Sequence, residues 1–207
     1  MTSPSSALQL LTAAMCAVLV VAGCGVSGKP AAVTTTKPLK GPTSRQSTST
    51  SATTQPTSPP LSAWTTVVDP PSGLSFQLPK KPTLFKPGGT AADGAPVTAR
   101  GYQALVNDDL VVQVSVYDLA GRSFDADKAI DGVALSSRGT VIARKHTASG
   151  GLDIVDARIR IPTGPALGYD RVFKIGDHAV QLWTLGLADD EVRIKLVQQR
   201  LSSTFRR

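Results

Sequence analysis

The sequence predicts an α+β domain: one twisted antiparallel sheet of about six or seven strands, carrying two helices. Three observations predict it. Most segments between residues 63 and 207 alternate apolar and polar side chains, the period of a half-buried strand. Short turns rich in Gly, Pro, Asn and Asp separate these segments, and such turns join antiparallel neighbours. Two stretches carry helical periodicity instead, one from Ala126 and one from Asp189.

Trp64-Thr65-Thr66-Val67-Val68 opens the domain as an extended segment, and Asp69-Pro70-Pro71-Ser72-Gly73 turns the chain. Leu74-Ser75-Phe76-Gln77-Leu78 alternates cleanly and reads as a strand that Pro79 and Pro82 stop. Leu84 to Pro96 reads as loop. Val97 to Val106 and Leu110 to Tyr117 alternate again about a turn at Asn107-Asp108. In the second of these, Val112, Val114 and Val116 share one face, while Gln113, Ser115 and Tyr117 share the other. Ala126, Ile130, Val133 and Ala134 then form a helical face, with Ser123 or Asp125 able to cap its start.

Val141 to Thr147 and Leu152 to Ile161 are expected strands about Ser149-Gly150-Gly151. The apolar phase of the second slips between Ile154 and Val155, which predicts a bulge there. Gly168 to Ile175 and Ala179 to Leu187 form a hairpin about Gly176-Asp177. The latter strand is apolar on both faces, as a central strand must be. Asp189-Asp190-Glu191 suits the positive end of a last helix, whose apolar face is Ile194, Val197, Leu201 and Phe205. Arg193, Lys195 and Arg200 fall on its other faces. The expected order is β-β-β-α-β-β-β-β-α.

What precedes residue 63 has a different composition. Leu8 to Val21 is almost continuously apolar, too short to span a bilayer comfortably but suited to the apolar core of a signal peptide. Val21-Ala22-Gly23-Cys24 follows. This stretch resembles the lipobox of bacterial prolipoproteins: an aliphatic residue, two small ones, then cysteine. The resemblance implies cleavage between Gly23 and Cys24 and lipid attached to the Cys24 thiol. It departs from the usual pattern in that Met1 to Ser6 carries no Lys or Arg. Cys16 lies inside the apolar run and is discarded with it. The organisation expected is a signal peptide at 1–23, a disordered Ser/Thr/Pro-rich tether at 24–62 and the domain at 63–207. The tether has too little apolar surface to offset the entropy of ordering it. Its full reach is on the order of 100 Å. The expected location is therefore the outer face of the cell membrane, held by N-terminal lipid.

Composition narrows the chemistry. Cys16 and Cys24 are the only two cysteines, so the domain has neither a disulfide nor a cysteine metal site. The formal charge is +7, but Lys29, Lys37, Lys40 and Arg45 lie in the tether and all 15 acids lie beyond it. The domain is thus only mildly basic, with its charges interspersed, and nucleic acid is not an expected partner. No Gly-x-Ser-x-Gly elbow, calcium loop or phosphate-binding glycine loop occurs. His146 and His178 read as turn or strand-edge residues. Arg158 and Arg160 on one strand, with Arg171 and Lys174 on the next, could form an anion-binding patch or a solvated face balanced by Asp156 and Asp170. Trp183 and Tyr169 could line an apolar pocket or pack in the core.

Trp64, the run Gly73-Leu74-Ser75-Phe76-Gln77-Leu78-Pro79, one helix after a strand pair, and a terminal helix ending Ser202-Ser203-Thr204-Phe205 complete the pattern. This layout resembles the PsbP-like domains of actinobacterial envelope lipoproteins of the LpqN/LpqT kind. The resemblance implies a non-enzymatic binding domain, with a cell-wall glycolipid or an envelope transport protein as partner. It transfers no ligand residue, catalytic residue, metal or cofactor. The alternatives are a structural lipoprotein acting by protein contact and a hydrolase with an unfamiliar site at His146 or His178.

Overall fold

The computed structural model describes residues 64–207 except 92, 108 and 163. Gly23, Cys24, the cleavage site and the tether lie outside the described residues. Among the described residues, nine strands and two α-helices occur in the order β1 (Thr65–Asp69), β2 (Leu74–Leu78), β3 (Thr83–Phe85), β4 (Thr98–Val106), β5 (Leu110–Asp118), α1 (Ala126–Ser136), β6 (Thr140–Ser149), β7 (Leu152–Ile161), β8 (Ala166–Ile175), β9 (His178–Leu187) and α2 (Glu191–Thr204). The sheet is seven-stranded and antiparallel, in the order β3-β4-β5-β9-β8-β7-β6. β1 and β2 form a separate hairpin. This is the α+β architecture the periodicity predicts, with five strands rather than three before the first helix.

Each helix covers one face. α1 starts where the Asp125 carboxylate accepts the Lys128 backbone N–H at 3.1 Å. Ala129, Ile130 and Val133 pack on Val155, Ala157, Ile159, Trp183 and Leu185. On the opposite face, Ile194, Val197 and Leu201 of α2 pack with Phe76 of the hairpin and with Val112, Val114, Val180 and Leu182. β9 lies at the centre of the sheet and is buried on both sides, which is why its apolar residues do not alternate. Each fully buried aliphatic side chain contributes about 1.5–3 kcal/mol.

Three details differ from the sequence expectation. Thr83–Phe85, expected to belong to turn and loop, is a three-residue edge strand on β4. Three residues are too few to show a period. β7 has no bulge between Ile154 and Val155. Val155, Ala157, Ile159 and Ile161 face α1, whereas Leu152 and Ile154 pack against the other core, so the apolar residues change face where the cover changes. The irregularity falls instead in the facing strand, between Val141 and Ala143. Finally, Arg193 is tucked against Asp109 and Asp190 with its side chain only 12% exposed. The β6–β7 turn agrees with expectation: Gly150 and Gly151 both take positive φ, as a two-residue hairpin of this hand requires.

Candidate functional site

A groove of about 400 Å³ opens beside α2, over β6, β7 and β8. Its floor is made of direct cross-strand pairs. Lys145 on β6 stands opposite Asp156 on β7, which stands opposite Arg171 on β8. The Arg171 Nε donates to Asp156 at 2.7 Å and a second guanidinium nitrogen donates at 2.9 Å, the bidentate geometry that suits a carboxylate. One step along, Arg158 stands opposite Tyr169, and its guanidinium lies 5.8 Å from the ring centroid. Glu191, at the start of α2, accepts both the Tyr169 hydroxyl at 2.6 Å and Arg158 at 2.8 Å. Burial, and the Glu191 carboxylate beside it, push the Tyr169 hydroxyl up to about 12.

The α2 wall supplies Lys195, Gln198, Gln199 and Ser202. Gln198 pins that wall to the sheet: its Oε1 accepts the Thr184 hydroxyl at 2.6 Å and its Nε2 donates to the Leu182 carbonyl at 2.9 Å. The helix is held at both ends as well. Arg193 ties the start to the β4–β5 turn. Beyond the other end, Ser75 and Arg206 exchange backbone hydrogen bonds, and Phe205 packs between Phe76 and Phe173. The wall is therefore fixed, and the groove is part of the fold.

The electrostatics are uneven. Arg158 and Arg171 are each matched by a carboxylate. Lys145, at the β6 edge of the floor, and Lys195, on the α2 wall, have no carboxylate within ion-pair distance among the described residues. Arg144 is turned to the other face, where Asp127 and Asp131 of α1 accept its guanidinium. An anion entering the groove thus meets two unmatched ammonium groups above two guanidinium groups that are already hydrogen-bonded.

The sequence placed Arg158 and Arg171 together, and the groove unites them. It separated two other residues wrongly joined to that patch. Lys174 lies three residues beyond Arg171 and points to the opposite face, and Arg160 is exposed outside the lining. Asp170 is no partner for these arginines. It is 1% exposed, on the α1 side, where its Oδ2 accepts Gln181 Nε2 at 2.9 Å. Burial raises its carboxyl to about 8, so it is neutral over most of the physiological range. Tyr169 and Trp183 do not meet: Tyr169 pairs with Thr184 and Asp170 with Trp183, so the indole is buried in the α1 core. A two-residue turn at Gly176-Asp177 already dictates this parity. Lys145 and Lys195 were missed because nothing in the sequence joins a residue of β6 to one of α2.

The histidines hold structural positions. His146 Nε2 is 3.4 Å from Asp127 and the side chain is largely exposed. His178 Nδ1 is 2.9 Å from Asp118, which also accepts Arg100. Arg100 reaches on to Asp69, so His178 ends a chain of side-chain contacts that joins the β1–β2 hairpin to the sheet. Among the described residues no group of three or more His, Cys, Asp or Glu could hold a metal ion, and no helix is long and apolar enough to cross a membrane.

No family model and no curated protein sequence matches the chain significantly. Solved structures do. The solution structure of cyanobacterial PsbP (CyanoP) from Synechocystis sp. PCC 6803 superposes with a TM-score of 0.53 over 75% of this chain and 99% of that one, at 12% identity. The fold is PsbP-like. At that identity the likeness is one of architecture, and it transfers no residue of a site. The groove of this PsbP-like domain rests on its own side chains.

Proposed function

We propose that the chain is an exported lipoprotein, anchored through lipid on Cys24 to the outer face of the cell membrane, whose PsbP-like domain binds an anionic ligand without transforming it. The observation that carries the binding reading is the groove itself, with Lys145 at the edge of its floor and Lys195 on its α2 wall unmatched among the described residues, and with Arg158 and Arg171 on neighbouring strands of the floor. Unmatched cations around a concavity favour an anion, because charge-assisted hydrogen bonds are about twice as strong as neutral ones. The PsbP-like fold supports a binding or accessory role. The acidic head of a cell-wall glycolipid and an acidic surface of an envelope transport protein are the two ligands this role suggests. The Val21-Ala22-Gly23-Cys24 stretch supports the anchor.

Titration of the protein with inorganic diphosphate, followed by amide shifts, tests the binding reading. Shifts should centre on residues 143–145, 169–171 and 195–202, and K195E should weaken them. Shifts confined to other surfaces would refute it. Mass spectrometry of protein extracted from its own membrane tests the anchor: the N-terminal peptide should begin at Cys24 and carry acyl chains.

A further inference from the structure

The groove does not end at its cations. On α2, Lys195 and Gln199 line it, and Val192 and Leu196 follow around the outward face of the helix, a sixth of a turn and just over a quarter of a turn from Lys195. At 100° per residue, Val192 stands within a tenth of a turn of Gln199, and Leu196 within a fifth. Both are open to solvent, at 62% and 40% exposure, and they are spaced i, i+4 so that they form one apolar ridge. Among the described residues the other exposed large apolar side chains, Leu84, Leu135, Val68, Ile142 and Leu105, lie on β3, α1, β1, β6 and β4. An outward apolar ridge flanking a groove with unmatched lysines is an arrangement by which a helix lies in the interface of an anionic bilayer: the lysines meet phosphates and the ridge enters the acyl boundary.

We propose that the α2 rim docks on an anionic leaflet and that the groove takes the phosphate headgroup of a lipid still seated in that leaflet. The inference rests on the anion-binding reading of the groove and names the source of the anion. Charge complementarity selects a lipid phosphate. Val192 and Leu196 select a bilayer over a soluble phosphate, which would gain nothing from them. The wall needs no rearrangement, because Gln198 and the two ends of α2 hold it in place.

The test is lysine acylation by an amine-reactive reagent, read by peptide mass spectrometry, on the full chain in phosphatidylglycerol vesicles, in phosphatidylcholine vesicles, and in buffer with inorganic diphosphate or polyglutamate. Lys174 and Lys128, exposed on β8 and α1, are the controls. Phosphatidylglycerol should slow the acylation of Lys145 and Lys195 about fivefold, the factor that one basic side chain gains at an anionic surface. The controls should not change, and phosphatidylcholine should protect neither pair. The double variant V192D/L196D should lose protection by vesicles and keep protection by diphosphate. Because both positions are exposed, the fold should survive these changes, which retained diphosphate protection would verify. Protection by diphosphate or polyglutamate without protection by vesicles would overturn the membrane assignment and leave the groove as a site for a soluble or protein-borne anion. Protection by none of these would overturn both readings. Equal protection of all four lysines, or vesicle protection unchanged in V192D/L196D, would overturn the docking geometry.

Discussion

Asp69 and Asp170 lie under opposite faces of the same sheet, 0% and 1% exposed, and they hold opposite charge states. Burial pushes both carboxyls up, since a charge is costly away from water. At Asp69 the push is overcome. Arg100 donates at 2.6 and 3.0 Å, the Tyr102 hydroxyl at 2.7 Å and the Ser72 backbone at 3.2 Å, and the carboxyl falls to about 2. At Asp170 the Gln181 amide and the Arg171 backbone N–H oppose the push, no cation joins them, and the carboxyl rises to about 8. The difference teaches what a buried acid does in this fold. With a guanidinium it clamps two layers together; without one it becomes a neutral polar group inside a core.

The largest expected effect comes from breaking the clamp. Asp69→Ala leaves Arg100 and Tyr102 without their buried partner, at a cost of about 3–5 kcal/mol. The urea midpoint should drop accordingly, and the β1–β2 hairpin should lose amide protection first. A change below about 1 kcal/mol would show that the clamp is not what holds the hairpin.

The second effect is the pH dependence, and its sign differs between the two acids. The Asp69 carboxyl is lowered from its ordinary 3.8, so its stabilisation is present above that value and is lost as pH falls through about 2. The Asp170 carboxyl is raised, so folding takes up a proton between 3.8 and about 8. The stability it supports is fully present below 3.8 and declines as pH rises toward 8, by at most about 1.4 kcal/mol per pH unit, then levels off. Asp170→Asn should remove this slope and gain stability relative to the parent as pH climbs from 5 to 8. Urea unfolding of the two proteins at pH 5, 7 and 9 decides it; parallel curves would mean that Asp170 is ionised in the fold.

Much of this architecture was legible in the sequence, and the comparison shows where legibility stopped. Alternation in β5 and the two-faced apolar run of β9 are local consequences of burial, so both strands and the central place of β9 could be read directly. Asp170 could not. It sits beside Arg171 in the chain, and only the tertiary packing on the α1 side of the sheet makes it a core residue. The groove divides in the same way. Arg158 and Arg171 lie diagonally on one face of adjacent strands, a local fact, while Lys145 and Lys195 line one groove only because α2 crosses back over the sheet. The cations on which the proposed binding rests most were therefore the least visible.

Gly168 sharpens the contrast at intermediate cost. A Cβ at this position would come 2.1–2.7 Å from the Trp183 indole, which is the cross-strand neighbour of Asp170. Gly168→Ala must displace the ring, at about 1–3 kcal/mol. If the indole seals Asp170 from water, the same substitution should also flatten the pH slope between 5 and 8. A destabilised variant with an unchanged slope would assign the seal to α1 instead.

The smallest effect on stability should accompany the clearest effect on binding. Asp156 makes the same bidentate pair with Arg171 that Asp69 makes with Arg100, but its side chain is 32% exposed rather than sealed. An exposed pair contributes only about 0–1 kcal/mol. Asp156→Asn should therefore leave the urea midpoint nearly unchanged. It also releases Arg171 into the groove, beside Lys145 and Lys195, and removes a negative charge from the floor. Diphosphate should then bind more tightly, by about tenfold if the freed guanidinium makes one charge-assisted hydrogen bond of ordinary strength. Titration at two salt concentrations would measure this, with the gain shrinking as salt rises. Tighter binding without lost stability would separate the two uses of the same pair in this molecule: sealed from water it holds layers together, and open to water it regulates the charge of a site. Equal affinity in the variant and the parent would place the anion elsewhere.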